Sequence, residues 1–425
     1  MPLDKDDKTA KQCLNLRASG DIVAGICAHG LNCRKGGDSM PRRFRLSPDK
    51  LLDMAGDFAT GVSLGLNQDD QEIKALITWV APSAIPEREA LVVDLGGTSV
   101  RAARVAVGRE PAIIAGPAVA DLPIVRGRPL SRVDFLAVQT GLLAQVCSTK
   151  PLPLGYCFSY PTRSLDDGDA ILLNWTKEVH VPGTEGTRMG RLLVNAARSS
   201  GIPVGAPTVV NDTVAALLAG LAGEPADGYI GLIVGTGTNM AAYMPSCAVT
   251  KFPTGLLWPT RLPINLECGN YSPPCLNEVD DVVDFGSSTP GQQRLEKAVS
   301  GAYLGRLLAA AAPQAGFDGE GGSASVVEKA GGSGPLAPLA SAIVRRSADL
   351  VAASLAGLVT LHPRQARTIR VVAEGSLFWG APGYAGRVQR VVNALLPQLG
   401  RAETALEIVR REQANLFGAA LATRP

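Results

Sequence analysis

The sequence predicts an α/β protein built from two similar halves, and three patterns support this prediction. Short apolar runs alternate along the chain with longer helical patterns, which is typical of sheets covered by helices. Two of the runs enter glycine-rich turns and leave them as strands, at 94–99 (DLGGTS) and at 234–239 (VGTGTN). One such turn from each half would place the pair on opposite sides of a cleft.

The first turn follows a buried strand at 91–94 and leads into another at 100–107. Its residues are Gly96, Gly97, Thr98 and Ser99. Glycine lets backbone amides approach a ligand closely, and successive N–H groups in such a turn form a concavity for anions. Asp94 at the strand end is placed to hold Mg²⁺ through water. Taken alone, the pattern is also that of an ordinary hairpin turn.

The second turn lies between predicted strands at 229–234 and 240–243. Its residues are Gly235, Thr236, Gly237 and Thr238. The GK[ST] signature of nucleotide-binding P-loops is absent from the sequence. The dinucleotide fingerprint is excluded as well, because each turn leads to a strand instead of a helix. The two glycine-rich turns are therefore interpreted as a pair of phosphate-binding hairpins.

Composition excludes several other classes of protein. The 425 residues and the 46% hydrophobic content suit two domains with a sizeable core. A net charge of +2, from 41 basic and 39 acidic residues, gives no reason to expect nucleic acid or a membrane as partner. With 3 histidines and no C-x-x-C pair among 8 cysteines, a zinc site is not expected. Scattered cysteines suit a reducing cytoplasm.

The chain divides into predicted elements after an atypical first segment. Residues 1–45 show little periodicity and are expected to be disordered or loosely packed, with Met40 as a candidate true start. A glycine- and serine-rich stretch at 314–335 is predicted as a surface loop with a short helix at 324–330. The other predicted strands are 154–159, 207–210 and 369–373, and the predicted helices are 51–64 after a Ser47–Pro48 start, 134–147, 190–200, 212–221, 292–312, 339–361 and 388–396.

Polar residues end several apolar runs between the two hairpins. The run at 154–159 ends in Ser159, that at 171–177 (ILLNWTK) in Thr176 and Lys177, and that at 207–210 in Asn211 and Asp212. Ligands of open α/β sheets bind beyond the carboxyl ends of strands. Two alternatives stay open, since Asn211 and Asp212 could cap the following helix and Thr176 and Lys177 could lie in a solvated turn.

In order and spacing, these motifs resemble those of the eukaryotic-type hexokinases across roughly 45–425. The matching segments are DLGGTS, LGYCFSYP (154–161), NWTK (174–177), VVNDTVAALLAG (209–220), GLIVGTGTNMAAYM (231–244), INLECGNY (264–271), STPGQQRLEKAVSGAYLG (288–305) and VVAEGSLF (371–378). The chain departs from the family's usual residues at Ser99, where Asn is common, at Cys268, where Trp is common, and at Glu374, where Asp is common.

The resemblance implies a role for each matched residue. Asp212 would be the base for a sugar hydroxyl, and Lys177 would stabilise the transferring phosphoryl group. The two glycine turns would hold the phosphates of ATP, with Arg101 adding charge or facing outward, and Asp94 would contact Mg²⁺ through water. Gly375 and Ser376 would line the adenosine pocket. The implied sugar contacts are Ser159, Thr176, Lys177, Asn211, Asp212, Asn239, Glu267 and Glu296, although chemistry alone leaves Glu267 and Glu296 equally suited to the surface.

The same resemblance implies a two-lobed actin-like ATPase (ribonuclease H-like) fold with a deep interlobe cleft. The small lobe would comprise 83–211 and the C-terminal helix 410–425, and the large lobe 46–82 and 212–409. The implied activity is ATP- and Mg²⁺-dependent phosphorylation of the 6-hydroxyl of glucose and related hexoses, the first step of glycolysis, by a cytoplasmic monomer or homodimer. The alternatives are a catalytically weak hexose-binding regulator and another actin-like ATPase.

Overall fold

A computed structural model of the chain describes residues 40–80, 87–97, 99–125, 128–175, 179–251 and 259–424. Contacts divide the chain into two units, Met1–Arg43 and Phe44–Pro425. The described part of the first unit is one short helix, Met40–Arg43. Residues 1–39, on which most of the predicted N-terminal disorder falls, lie outside the described residues. The predicted loose packing is wrong at Phe44. This residue is 1% exposed, and the guanidinium of Arg346 lies 4.6 Å from its ring centroid.

The second unit contains two main sheets and a small hairpin. Its strands, numbered in chain order, are β1 (Leu76–Ile77), β2 (Arg88–Leu95), β3 (Ser99–Val107), β4 (Ala112–Asp121), β5 (Leu152–Phe158), β6 (Thr162–Ser164), β7 (Ala170–Leu172), β8 (Val204–Val210), β9 (Gly228–Val234), β10 (Thr238–Pro245), β11 (Arg261–Asn265), β12 (Thr368–Glu374) and β13 (Ala405–Val409).

The helices are numbered in the same way. They are α1 (Met40–Arg43), α2 (Pro48–Asn67), α3 (Arg132–Val146), α4 (Met189–Ser199), α5 (Asp212–Ala219), α6 (Glu278–Phe285), α7 (Arg294–Val299), α8 (Gly301–Ala311), α9 (Gly322–Gly331), α10 (Ala337–Thr360), α11 (Ser376–Gly380), α12 (Tyr384–Leu395) and α13 (Ala414–Ala422). Within the described ranges, no helix combines the length and the apolar character needed to cross a bilayer.

The first sheet has five strands in the order β4-β3-β2-β5-β8. Strands β2, β5 and β8 run parallel, so their carboxyl ends meet at one edge. The second sheet has six strands in the order β1-β11-β10-β9-β12-β13, with β9, β12 and β13 parallel. Each sheet contains one antiparallel hairpin around a predicted glycine turn, β2–β3 in the first and β9–β10 in the second.

The C-terminal helix α13 belongs to the packing of the first sheet, although its residues come last in the chain. It contacts β2, β3, β5 and β8 and the helix α5. A Cβ on Gly418 would lie 1.8 Å from the carbonyl oxygen of Ala215, so the two helices touch through their backbones. This close approach requires glycine at that position.

The predicted start of the helix after Ser47–Pro48 is confirmed, since Ser47 Oγ accepts a hydrogen bond from Lys50 N at 3.3 Å. The single helix predicted at 292–312 is instead two helices, α7 and α8, because Ser300 is extended (φ −79°, ψ 157°). The C-terminal helix begins at Ala414 and not near 410, since Gln413 has a left-handed backbone (φ 55°) and 405–409 is a strand. Five described strands had no prediction, namely β1, β4, β6, β11 and β13.

Candidate active site

The first sheet brings four predicted site residues to one edge. Asp94 lies next to Cys157 in the register of β2 and β5, and Cys157 lies next to Val210 of β8. Ser159 follows β5, is 7% exposed, and donates its backbone N–H to Leu95 O at 3.2 Å. Asn211 and Asp212 follow β8. The carboxyl ends of these parallel strands therefore gather polar groups as the sequence predicted.

Asp212 begins helix α5, and Asn211 caps that helix. Asn211 Oδ1 accepts from Thr213 N at 2.9 Å, so the capping alternative holds for Asn211. Asp212 Oδ1 accepts from Thr213 N at 2.7 Å and from Thr213 Oγ1 at 3.2 Å. Its other oxygen, Oδ2, accepts no hydrogen bond from any described residue. The half-buried carboxylate is thus held by one oxygen and offers the other to a ligand.

Asp94 is buried and paired with Arg101, so Arg101 does not face outward. Arg101 donates from Nε to Asp94 Oδ2 at 3.0 Å and from NH1 to Gln413 Oε1 at 3.0 Å. Asn415 Nδ2 makes a longer contact with Asp94 Oδ1, at 3.4 Å. Burial raises the pKa of the Cys157 thiol well above its usual range, and the charges of Asp94 and Asp212 raise it further. Both carboxylates therefore face this one buried thiol.

The second glycine turn lies against the predicted adenosine segment. Gly235 N donates to Gly237 O at 2.9 Å, and a Cβ on Gly235 would be 3.4 Å from Gly375 Cα. Helix α8 starts beside the turn, with Gly301 N donating to Gly235 O at 2.7 Å. Gly375 has φ 119°, a conformation open to glycine. The structure thus brings Gly235, Gly375 and Ser376 together, as a site for one nucleotide requires.

The predicted sugar contacts of the second sheet form a chain of hydrogen bonds. Asn239 Nδ2 donates to Asn265 Oδ1 at 2.7 Å, and Asn265 Nδ2 donates to Glu267 Oε1 at 2.8 Å. Glu296 Oε2 accepts from Thr238 N at 3.1 Å. Between them, burial raises the pKa of the Cys268 thiol, and the charges of Glu267 and Glu296 add to the effect. The two carboxylates therefore converge and are not dispersed over the surface.

Helix α5 links these two groups of residues. It starts at the edge of the first sheet and packs on β9, β10 and β11 of the second. A Cβ on Gly231 of β9 would lie 2.1 Å from Thr213 O, so the first turn of α5 touches the second sheet directly. Asp212, the first residue of α5, consequently lies where the edge of the first sheet meets the second sheet.

Two residues of the site have no role in the sequence prediction. Asn265 joins Asn239 to Glu267 by hydrogen bonds. Glu374, at the end of β12, lies close enough to Asp94 and Arg101 for their charges to act on its carboxyl group. Burial raises the pKa of Glu374, with Asp94 adding to the shift and Arg410 and Arg101 opposing it. Both residues lie inside quoted motifs, but only the folded strands show which neighbours they meet. The predicted residues Thr98, Thr176 and Lys177 lie outside the described residues.

Comparisons with known proteins agree with this geometry. Two family profiles, both described as Hexokinase, match residues 38–222 and residues 229–315 together with 335–424. Hexokinase-2 of Candida albicans is 30% identical over 287 residues, covering 63% of this chain and 58% of that protein. Human hexokinase-1 is 33% identical over 282 residues, covering 62% of this chain and 30% of that protein. The chain thus matches less than two thirds of the length of these relatives.

A solved structure confirms the fold. A hexokinase from Schistosoma mansoni complexed with glucose superposes with a TM-score of 0.75, at 23% identity, over 90% of this chain and 96% of that one. Two sheets, each with a glycine-rich hairpin, define the actin-like ATPase class of fold. Within that class, this chain belongs to the hexokinase family.

Proposed function

We propose that this protein is a hexokinase that transfers the terminal phosphoryl group of ATP to the 6-hydroxyl of glucose or a related hexose. The observation that carries the proposal is the carboxylate of Asp212, which is held through Oδ1, open at Oδ2, and located where the two sheets meet. Family membership and the glucose bound to the Schistosoma relative support the same substrate class. Glycolysis is the proposed context.

The hexose would be oriented by side chains that match its many hydroxyl groups. Carboxylates accept two or more hydrogen bonds each, and amides both donate and accept, so Glu267, Glu296 and Asn239 suit a polyol. Ser159 and Asn211 approach the same region from the first sheet. Such a site rejects analogues that lack a bonded hydroxyl, because its buried groups are then left unpaired.

In the reaction, Asp212 Oδ2 would accept the proton of the sugar 6-hydroxyl. At the same time, the hydroxyl oxygen of the sugar would form a bond to the terminal phosphorus of ATP. The bond from that phosphorus to the bridging oxygen breaks, and ADP leaves with the electron pair. A positioned base typically contributes about 10²–10⁴-fold to such a step. Lys177 is proposed to neutralise charge on the phosphoryl group, and Arg101 to add positive charge nearby.

The residues at the first turn fit a hydrated magnesium ion. Asp94 is an oxygen ligand at the end of β2, and its Oδ1 is engaged by one long contact with Asn415. A magnesium ion held there through water by Asp94 would supply positive charge that offsets the charge of the ATP phosphates. The two glycine turns would hold those phosphates from opposite sides, with Gly375 and Ser376 beside the nucleoside. The predicted small lobe (83–211 with 410–425) and large lobe (46–82 and 212–409) remain proposals. The cytoplasmic location and the monomer or homodimer are proposals as well.

The test is a panel of hexoses with Mg-ATP, repeated with Asp212→Ala. Wild-type protein should form hexose 6-phosphate, and the variant should bind hexose while losing turnover by about 10²-fold or more. Asp134→Ala is the matched control, because Asp134 is also a carboxylate in the first turn of a helix but lies in α3. Hexose binding without turnover in the wild type would instead identify a regulator. Equal turnover by Asp212→Ala and Asp134→Ala would show that Asp212 is not the catalytic base.

A further inference from the structure

Tyr160 connects the proposed sugar segment to the first phosphate turn. Its hydroxyl donates a hydrogen bond to the carbonyl oxygen of Gly97 at 2.8 Å. The neighbouring Ser159 donates its backbone N–H to Leu95 O at 3.2 Å. Two adjacent residues after β5 therefore touch both the end of β2 and the turn that follows it. The bond from Tyr160 to Gly97 joins positions that are 63 residues apart in sequence.

The ring of Tyr160 is fixed in place by its neighbours. It is 1% exposed and packs edge-on against Trp175, with ring centroids 4.7 Å apart. The ring of Phe158 packs against it at a tilt, with centroids 5.2 Å apart. Trp175 is itself held, because its Nε1 donates to Thr184 Oγ1 at 2.9 Å. Burial raises the pKa of the Tyr160 hydroxyl, which therefore stays protonated and able to donate near neutral pH.

The acceptor, Gly97, lies in a turn that has few contacts of its own to hold its backbone conformation. Gly96 and Gly97 carry no side chains, and glycine loses more conformational freedom on ordering than any other residue. Within the turn, Gly96 N donates to Ser99 O at 3.0 Å. The hydroxyl of Tyr160 adds an anchor from outside the turn and sets the direction of the Gly97 carbonyl.

We propose that Tyr160 is a positioning residue that holds the first phosphate turn in register with the hexose segment. The proposal rests on the proposed function of these two sites. A hexose engaging Ser159 would act on the residue next to Tyr160, so sugar binding would order the turn that receives ATP. Removal of the hydroxyl should weaken this coupling without removing any group that contacts the substrates.

The experiment compares Tyr160→Phe with Tyr156→Phe. Tyr156 lies in β5, four residues before Tyr160, and is equally buried. Its hydroxyl also donates one hydrogen bond, to Gln139 Oε1 at 2.6 Å, away from the glycine turn. Tyr160→Phe should raise the KM for ATP about three- to tenfold, the loss expected for one neutral hydrogen bond, with the KM for hexose changed less. Tyr156→Phe should leave both values near wild type.

Hydrogen exchange of the peptide covering 95–101 gives a second measurement that needs no turnover. Faster exchange in Tyr160→Phe than in Tyr156→Phe supports the proposal, even if wild-type protein phosphorylates no hexose and the proposed function fails. Equal exchange in the two variants, or an equal change in the KM for ATP, would overturn it. Each variant loses one buried tyrosine hydroxyl. A difference between them therefore reports the position of the turn and not a general loss of stability.

Discussion

The surroundings of Glu374 disfavour the ionised form of its carboxyl group. Glu374 ends β12, is half-buried, and lies near Asp94 of the first sheet. Burial is the largest cause that raises its pKa above the ordinary value of 4.5, and the charge of Asp94 acts in the same direction. Arg410 and Arg101 reduce the shift without cancelling it. Ionised Glu374 therefore costs the folded state some stability.

This shift predicts a defined pH dependence of stability. Because the folded state binds the Glu374 proton more tightly than the unfolded state, the free energy of unfolding should fall as pH rises through the window above 4.5. Glu374→Gln is neutral at every pH and should lack this component. Urea unfolding of both proteins between pH 4.5 and 8 measures it, with Glu89→Gln as a control at an exposed glutamate. Parallel curves for wild type and Glu374→Gln would contradict the prediction.

The place of a residue in the fold was predicted well where it depends on neighbours in sequence. Asn211 and Asp212 follow an apolar run and precede a helix, so their place at a strand end can be read locally. Asn265 and Glu374 were missed because their partners come from other strands. Tyr160 was missed for the same reason, since its acceptor Gly97 meets it only through the register of β2 and β5.

At the scale of elements, periodicity identified most helices but not their interruptions. The run 292–312 is apolar at helical spacing throughout, yet Ser300 is extended and separates α7 from α8. The break lets α8 begin beside the second glycine turn, where Gly301 N donates to Gly235 O. The edge strand β4 was missed because its sequence, AIIAGPAVAD, lacks the clear alternation of a half-buried strand.

The junction of β12 and α11 allows a test at this scale. A Cβ on Gly375 would lie 2.1 Å from Val234 O, and its φ is 119°. Gly375→Ala should therefore destabilise the protein by about 1–3 kcal/mol or more and raise the KM for ATP, because the second glycine turn must move. Thermal unfolding and ATP kinetics measure the two effects.

A matched control is Gly141→Ala, within helix α3. Nothing lies within 4 Å of a Cβ at Gly141, and alanine is the better helix former by about 0.5–1 kcal/mol. This variant should be as stable as wild type or more stable, with unchanged kinetics. If Gly375→Ala is as stable as wild type, the close approach to Val234 O does not require glycine at position 375.

For the whole molecule, the proposed site draws on both sheets. Asp94 and Ser159 come from the first, and Asn239, Glu267 and Gly375 come from the second or its connections. If a hexose must bring these groups together, ATP hydrolysis without sugar should be slower than hexose phosphorylation by on the order of 10²-fold, the cost of misplaced reacting groups. A coupled assay of ADP release with and without glucose measures the ratio. Comparable rates would contradict the need for closure.

The place of α13 has a consequence for biosynthesis. This helix covers Val92, Ala103 and Cys157 of the first sheet, which the ribosome makes long before it. A nascent chain that has emerged through β8 still lacks the cover for that apolar face. The first sheet can therefore reach its final packing only after α13 has left the ribosome, and until then its exposed apolar face favours aggregation.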